Sequence, residues 1–130
     1  MKNTYIIGEI GQNHNGSVDL AKLIIELISR PVHEDVFGMD FMPMNAVKMT
    51  KRDLSEELAV SQMNQIYDNP NSFGRTYGEH RAFLELDDQA HFEIYKYAKS
   101  LGLDFIETLC AKGCLSLLKL FTPDRLKVAS

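Results

Sequence analysis

Two lysines stand in short segments that otherwise have the composition of buried strands. Lys48 follows two small apolar residues, and Lys127 lies inside the apolar run 125–129. An ammonium group in such surroundings is costly to bury unless it meets an anion. Together with the hydroxyls of Thr108 and Ser130, the lysines favour a site for a phosphate or a carboxylate. Two simpler interpretations stay open: Lys48 begins a polar loop, or Lys127 extends from an edge strand into solvent.

A carboxylate and two amides follow the first predicted strand. Glu9 lies near the end of that strand, where it suits either proton transfer or a structural ion pair. Asn13 and Asn15 lie in the turn-rich segment 11–16, with His14 between them as either a turn residue or a metal ligand. The other histidines show none of the spacings typical of metal motifs, so we expect no metal site within this chain; they are His33, His80 and His91.

The elements that must position these residues alternate between strand and helix. Strands are predicted at 4–10, 46–49, 103–108 and 125–129, and helices after Ser17, after Asp87 or Asp88, and at 110–121. The first helix has its apolar stripe at Leu20, Ile24, Leu27 and Ile28. Two long segments remain: 31–45, predicted to be an irregular loop packed on the protein, and 52–78, predicted to be turn-rich with a short helix within 53–65.

This alternation predicts an α/β fold with a parallel sheet, either doubly wound or a (β/α)8 barrel. In both architectures, ligands bind at the carboxyl ends of the strands. The rule gathers the residues with chemical potential on one rim, namely Glu9, the amides after it, Lys48, Thr108, Lys127 and Ser130. We therefore expect the binding site at that edge of the sheet.

Composition excludes several classes of protein. The 130 residues suffice for one domain, and a hydrophobic fraction of 45% is typical of a globular chain. A net charge of −4 argues against a non-specific nucleic-acid binder. Cys110 and Cys114 are expected to be reduced and half-buried, with neither zinc nor a disulfide between them. Without a signal-peptide pattern or an apolar run long enough for a bilayer, we expect a cytoplasmic protein with no membrane partner.

Five motifs, in order along the chain, resemble the sialic acid synthase (N-acetylneuraminate synthase) family. The segment 9–16, Glu-Ile-Gly-Gln-Asn-His-Asn-Gly, resembles its opening motif, and 46–48, Ala-Val-Lys, its second strand. Residues 73–81, Phe-Gly-Arg-Thr-Tyr-Gly-Glu-His-Arg, are similar to a loop that precedes a helix of the family. Residues 102–108 resemble its third strand, and 127–130, Lys-Val-Ala-Ser, its fourth.

The resemblance implies a fold and a reaction. The fold is a partial (β/α)8 barrel of about the first four βα units, with residues 1–130 as the N-terminal half; the C-terminal half and the antifreeze-like domain of the family are absent. The family condenses phosphoenolpyruvate with an N-acetylated sugar such as N-acetylmannosamine, releasing phosphate and a sialic-acid-type α-keto sugar acid. It uses a divalent metal, Mn²⁺ or Mg²⁺, whose ligands lie outside this chain. A homodimer is implied for the full-length form.

The same resemblance assigns roles to individual residues. It implies that Lys48, Thr108, Lys127 and Ser130 hold the phosphate and carboxylate of phosphoenolpyruvate. Glu9 faces the sugar and serves as the candidate catalytic acid or base. Asn13 and Asn15 shape the same rim. By this reasoning the 130-residue chain is expected to be inactive alone.

The chain also departs from the family pattern. Met49 and Thr50 replace an aromatic–glutamine pair, and Leu109 and Cys110 replace a proline–phenylalanine pair, while the segment 31–45 is longer than usual. These differences predict a divergent subgroup with a different sugar. Two alternatives stay open: a non-catalytic half-barrel that self-associates and binds an anion or a protein partner, and another phosphoenolpyruvate-dependent synthase on the same barrel.

Overall fold

The computed structural model of the protein describes residues 4–129. Its strands are β1 (Ile7–Gly11), β2 (Val32–Glu34), β3 (Met39–Phe41), β4 (Ala46–Lys51), β5 (Asp104–Leu109) and β6 (Arg125–Val128). Its α-helices are α1 (Val18–Ile28), α2 (Leu54–Glu57), α3 (Val60–Met63), α4 (Tyr77–Leu84) and α5 (Asp88–Ser100), and a 3-10 helix covers Lys112–Lys119. Four strands form a parallel sheet in the order β1-β4-β5-β6, which confirms the predicted α/β fold.

Local signals in the sequence fix the ends of the two long helices. The Ser17 side chain accepts a hydrogen bond from the amide of Leu20 at 3.1 Å and so caps α1, as predicted. The Asp87 carboxylate accepts from the amide of Ala90 at 2.8 Å, which makes Asp87 the cap of α5. Gly102, with φ of +79°, allows the chain to turn after α5 and enter β5.

The core lies between one face of the sheet and the two long helices. Alternate strand residues point into it, because successive side chains of a strand lie on opposite faces. Those residues are Ile10, Val47, Met49 and Phe105, and they pack with Ala21, Ile25, Ile94, Ala98, Leu117 and Phe121. The other face of the sheet carries Glu9, Lys48, Thr108 and Lys127; we call it the open face.

The apolar stripe of α1 differs in part from the predicted one. Ala21 and Ile25 are completely buried, whereas Leu27 keeps 59% of its surface exposed. The helix therefore packs the small residue Ala21, together with Ile25 one turn later, against the sheet. This permits the close approach of α1 to β1, where the methyl end of Ile28 lies against Gly8.

The segment 31–45 is not an irregular loop packed on the protein, and that prediction was wrong. It forms an antiparallel hairpin of β2 and β3, separate from the main sheet. Its apolar residues are largely exposed, including Val36, Phe37 and Met42. The hairpin leaves and rejoins the fold at nearly one point, because the amide of Met44 donates to the carbonyl of Ile28 at 3.0 Å.

Two further segments depart from expectation. The turn-rich segment 52–78 holds two short helices, α2 and α3, instead of one, and α4 begins at its end. The helix predicted at 110–121 is a 3-10 helix that begins at Lys112, so Cys110 precedes it. Gly113, near its start, is a poor α-helix former and lies directly against the Asp53 carboxylate.

No helix in the described residues 4–129 has the length and apolar character needed to cross a bilayer.

Candidate active site

Strand register places the predicted site residues on the open face at the carboxyl ends of the strands. Glu9 of β1 is opposite Lys48 of β4. Thr50, two residues beyond Lys48, is opposite Thr108 of β5, which is in turn opposite Lys127 of β6. Four neighbouring strands therefore contribute side chains to one surface.

Lys48 is the centre of this arrangement. Its ammonium group forms an ion pair with the Glu9 carboxylate and donates to the Thr108 hydroxyl at 3.3 Å. The Lys48 side chain is only 14% exposed, and Thr108 is almost fully buried. Lys127 extends from the edge strand beside Thr108 and is exposed. The result is a surface with two ammonium groups and a hydroxyl, flanked by one carboxylate.

The amides of the opening motif lie on a tight turn beyond β1. The backbone amide of Asn13 donates to Ile10 at 2.8 Å, and that of Asn15 donates to Gln12 at 3.1 Å. Asn15 has φ of +49°, and both asparagine side chains are exposed. Ser130, the remaining predicted site residue, lies outside the described residues.

His14, between the two asparagines, is a structural residue of this turn. It is 1% exposed, and its Nδ1 accepts the amide of Gly16 at 3.1 Å. Burial lowers the pKa of His14 from 6.5 to about 4, with the nearby His91 contributing in the same direction. A neutral imidazole is therefore held in place as a hydrogen-bond acceptor. Of the two interpretations that the sequence left open, the geometry favours the turn residue.

A buried pair of a carboxylate and an imidazole lies behind the open face. Glu107 is completely buried, and its Oε2 is 3.1 Å from Nδ1 of His91 on α5. Its other oxygen, Oε1, has no hydrogen-bond partner within residues 4–129. Burial raises the pKa of Glu107, which His91 and the more distant lysines oppose. Sequence analysis assigned Glu107 no role; the alternation of β5 after Phe105 was the signal that it faces the helices.

A second carboxylate, partly buried, ties three rim segments together. Glu85 accepts the amide of Arg52 at 3.3 Å and also bonds to the side chain of Gln12. Lys51 donates to the carbonyl of Leu86 at 2.6 Å. Burial raises the pKa of Glu85. The turn after β1, the end of β4 and the link between α4 and α5 are thereby fixed relative to one another.

The motif at residues 73–81 builds the start of α4. The Thr76 hydroxyl accepts the amide of Glu79, while the Glu79 carboxylate accepts the amides of Thr76 and, at 2.7 Å, Arg75. Gly78 lies so close to Met63 that a side chain at this position would collide with the backbone. The motif anchors the preceding segment on α4.

The described residues do not include a metal centre. No group of three His, Cys, Asp or Glu side chains between residues 4 and 129 is arranged to hold an ion. Glu9, the acidic residue nearest to the lysines, is already engaged with Lys48.

Comparison with protein families shows to which family the chain belongs. The NeuB family model matches residues 42–130. The chain belongs to the NeuB family. This confirms the resemblance to sialic acid synthases drawn from the five motifs, of which the last four lie within the matched range.

Individual relatives of this NeuB chain are longer proteins. It is 31% identical over 127 residues to N-acetylneuraminate-9-phosphate synthase of Drosophila melanogaster, covering 97% of this chain and 31% of that protein. The human enzyme of the same name is 33% identical over 101 residues, 78% of this chain and 25% of that one. N,N'-diacetyllegionaminic acid synthase of Campylobacter jejuni is 33% identical over 108 residues, with coverage of 83% and 29%. The chain thus spans a third or less of these relatives.

Solved structures show the fold of the NeuB chain. It superposes on N-acetylneuraminic acid synthetase of Leptospira borgpetersenii, solved with citrate, with a TM-score of 0.66 at 19% identity; the match covers 98% of this chain and 36% of that one. A spore coat polysaccharide biosynthesis protein E of Chromobacterium violaceum gives 0.64 at 21% identity, covering 95% and 33%. The four parallel strands are therefore part of a (β/α)8 barrel, as predicted.

Proposed function

We propose that this NeuB chain carries the phosphoenolpyruvate-binding part of a synthase that condenses phosphoenolpyruvate with an N-acetylated sugar. The product is a sialic-acid-type α-keto sugar acid, and phosphate is released. The observation that carries the proposal is the position of Lys48, held between Glu9 and Thr108 on the open face, with Lys127 opposite Thr108 on the next strand. The relatives are named as synthases of neuraminate and legionaminate derivatives, which supports this reaction class.

Phosphoenolpyruvate carries a phosphate and a carboxylate, and the open face offers a donor set for both. Lys48 and Lys127 supply the positive charge, and the Thr108 hydroxyl supplies a neutral donor between them. Ser130 is proposed to add a second hydroxyl. Asn13 and Asn15 lie on the turn that borders the surface, where their amides bind acceptor hydroxyls.

In the proposed reaction, C3 of phosphoenolpyruvate attacks the aldehyde carbon of the sugar and forms the new carbon–carbon bond. The aldehyde oxygen takes up a proton and becomes a hydroxyl. Water adds to C2. The bond between C2 and the phosphate oxygen of the tetrahedral intermediate then breaks, phosphate departs, and C2 becomes the keto carbon. Lys48 and Lys127 hold the phosphate in position and stabilise the charge that it gains as it departs.

Glu9 is proposed to serve the acceptor once phosphoenolpyruvate is bound. In the free protein its carboxylate neutralises Lys48. A bound phosphate competes for the same ammonium group, because a dianion attracts it more strongly than one carboxylate does. Glu9, half-exposed at 49% of its side chain, is then free to accept a hydrogen bond from the sugar, or to take the proton that the attacking water loses and pass it to the aldehyde oxygen.

A divalent metal is proposed for the complete enzyme, where it would polarise the sugar aldehyde. The described residues of this chain do not fit a metal centre. The steps assigned to this chain are therefore binding of phosphoenolpyruvate, orientation of its phosphate and proton transfer at Glu9.

The first test is calorimetric titration of the chain with phosphoenolpyruvate. We expect binding that Lys127→Ala weakens at least tenfold, since one charge-assisted contact is lost. Lys119→Ala is a matched control, because it removes the same charge from an exposed lysine at the far end of the 3-10 helix. Equal affinity for the chain and for Lys127→Ala would contradict the proposed site.

The second test is turnover. We expect no phosphate release from phosphoenolpyruvate by the 130-residue chain with Mn²⁺ and N-acetylmannosamine. A chimera in which this chain replaces the matching third of the Drosophila relative is expected to release phosphate, and its Lys127→Ala form is expected to be inactive. Release by the chain alone, above its own Lys127→Ala variant, would show that it forms a working site unaided.

A further inference from the structure

Two arginines meet at one carboxylate on the rim of the sheet. Nη1 of Arg52 donates to Glu57 at 2.7 Å, and Nη2 of Arg81 lies 3.9 Å from the same carboxylate oxygen. Only 33% of the Arg52 side chain and 12% of the Arg81 side chain are exposed. Nε of Arg52, and both Nε and Nη2 of Arg81, are shielded from solvent without a hydrogen-bond partner in the part of the chain that is described.

These donors exceed what the surrounding acceptors can take. The second oxygen of Glu57 already accepts the amide of Asp53 at 3.2 Å, and Nη1 of Arg81 donates to the Tyr77 hydroxyl at 2.8 Å. A buried N–H without a partner is unfavourable, and more so when it belongs to a charged group. Two guanidinium groups with free donors match an oxyanion that has several acceptor oxygens, and phosphate is the best fit.

The position of Arg52 separates this cluster from the phosphoenolpyruvate surface. Arg52 is the first residue beyond β4, four residues after Lys48, and at strand spacing this is roughly 13 Å. The ammonium group of Lys48 contacts Glu9 and Thr108, whereas a different residue, Glu57, binds the guanidinium group of Arg52. The far end of an acceptor sugar that reacts beside Lys48 can reach it.

The relatives differ in the group that belongs at such a position. Some are named for a 9-phosphate product, and others for a product without phosphate. Phosphoenolpyruvate contributes the first three carbons of the product, so carbon 9 of the product is carbon 6 of the acceptor. A phosphate there is the group furthest from the new carbon–carbon bond.

We propose that Arg52 and Arg81 form a second oxyanion subsite, which binds the phosphate of an acceptor sugar phosphorylated at carbon 6. The inference rests on the proposed function, because the acceptor must react beside Lys48. The arginines thus select a phosphorylated sugar over its free form.

The test uses nuclear magnetic resonance of the arginine Nε–H groups in the 130-residue chain. N-acetylmannosamine 6-phosphate is expected to shift the Nε–H signals of Arg52 and Arg81. N-acetylmannosamine mixed with inorganic phosphate separates the two sources of phosphate; we expect this mixture to bind at least tenfold more weakly. Arg52→Gln is expected to lower affinity for the sugar phosphate at least tenfold, and Arg52→Lys by less, because the charge remains.

Arg75→Gln is the matched control, since Arg75 is an exposed arginine of the same segment. Equal loss of affinity in Arg75→Gln and Arg52→Gln would overturn the subsite, as would equal binding of the sugar phosphate and the mixture. A separate titration with phosphoenolpyruvate, sensitive to Lys127→Ala and not to Arg52→Gln, keeps the two ideas apart. If phosphoenolpyruvate binds and the arginine signals do not move, only the subsite fails; if phosphoenolpyruvate does not bind, the proposed function fails first.

Discussion

The two faces of one four-stranded sheet do different work in this protein. Val47, Met49 and Phe105 point towards the helices and are completely buried. Lys48, between Val47 and Met49, and Thr108, three residues after Phe105, point the other way, into the predicted site. Because the faces alternate residue by residue, a one-residue shift in register would exchange core and site. Stability and ligand binding are thus encoded in the same strands and can be altered separately.

The largest effect should come from the helix-facing side. Phe105→Ala removes a completely buried ring that contacts Tyr95 and Phe121 edge-on. We expect a loss of about 3–5 kcal/mol in the free energy of unfolding, because the cavity can collapse only partly. Urea denaturation measures it. A loss below about 1 kcal/mol would show that the sheet is not held by this face.

A pH effect of nearly the same size should arise at the edge between the two faces. The pKa of His14 is about 4 in the folded chain against 6.5 unfolded, so stability is lost as the pH falls from 6.5 to 4. At 1.36 kcal/mol per unit, the loss is about 3 kcal/mol. Unfolding measured across this range should show the slope, and His14→Gln should flatten it. Glu107, whose pKa is raised, acts in the opposite direction and costs stability as the pH rises above 4.5.

On the open face, a change should alter binding far more than stability. Lys48→Met keeps most of the apolar stem and removes the charge. We expect at least a tenfold loss of affinity for phosphoenolpyruvate, with a change in unfolding free energy below about 1 kcal/mol. Calorimetric titration and urea denaturation of the same sample provide both values. A large loss of stability with unchanged affinity would assign Lys48 to the fold instead of the site.

The smallest effect should come from an apolar residue on the open face. Ile7 lies on the same side of β1 as Glu9 and is 44% exposed. Ile7→Thr keeps the β-branched shape, so we expect a change below about 1 kcal/mol in urea denaturation. The comparison partner is Val47→Thr on the buried face, which should cost more because a hydroxyl enters the core.

The parts of the fold that sequence analysis predicted depend on local signals. Ser17 and Asp87 cap their helices with side chains only three residues from the amides they bind, and Gly102 supplies the positive φ after α5. The strands were found from their apolar composition. The rule that ligands bind at the carboxyl ends of parallel strands then gathered Glu9 and Lys48 on one rim.

The missed features depend on contacts between residues far apart in the sequence. His91 and Glu107 are 16 residues apart and pair only when α5 packs on β5. The start of α4 was interpreted as a loop, because Gly74 and Gly78 are poor helix residues. The structure explains why glycine stands at both positions: a side chain there would collide with neighbouring backbone. The hairpin of β2 and β3 has strands of three residues, too short for an alternation pattern to be recognised.

The Met44–Ile28 hydrogen bond also bears on how the fold can be modified. This bond joins the end of α1 to the residues just before β4. The fifteen or so residues between Ile28 and Met44 therefore form a nearly self-contained loop whose ends meet. A short linker could replace the hairpin without moving α1 or β4, and a different peptide could be grafted in its place. The position is therefore suited to insertions or replacements at one end of the barrel that leave the binding site at the other end unchanged.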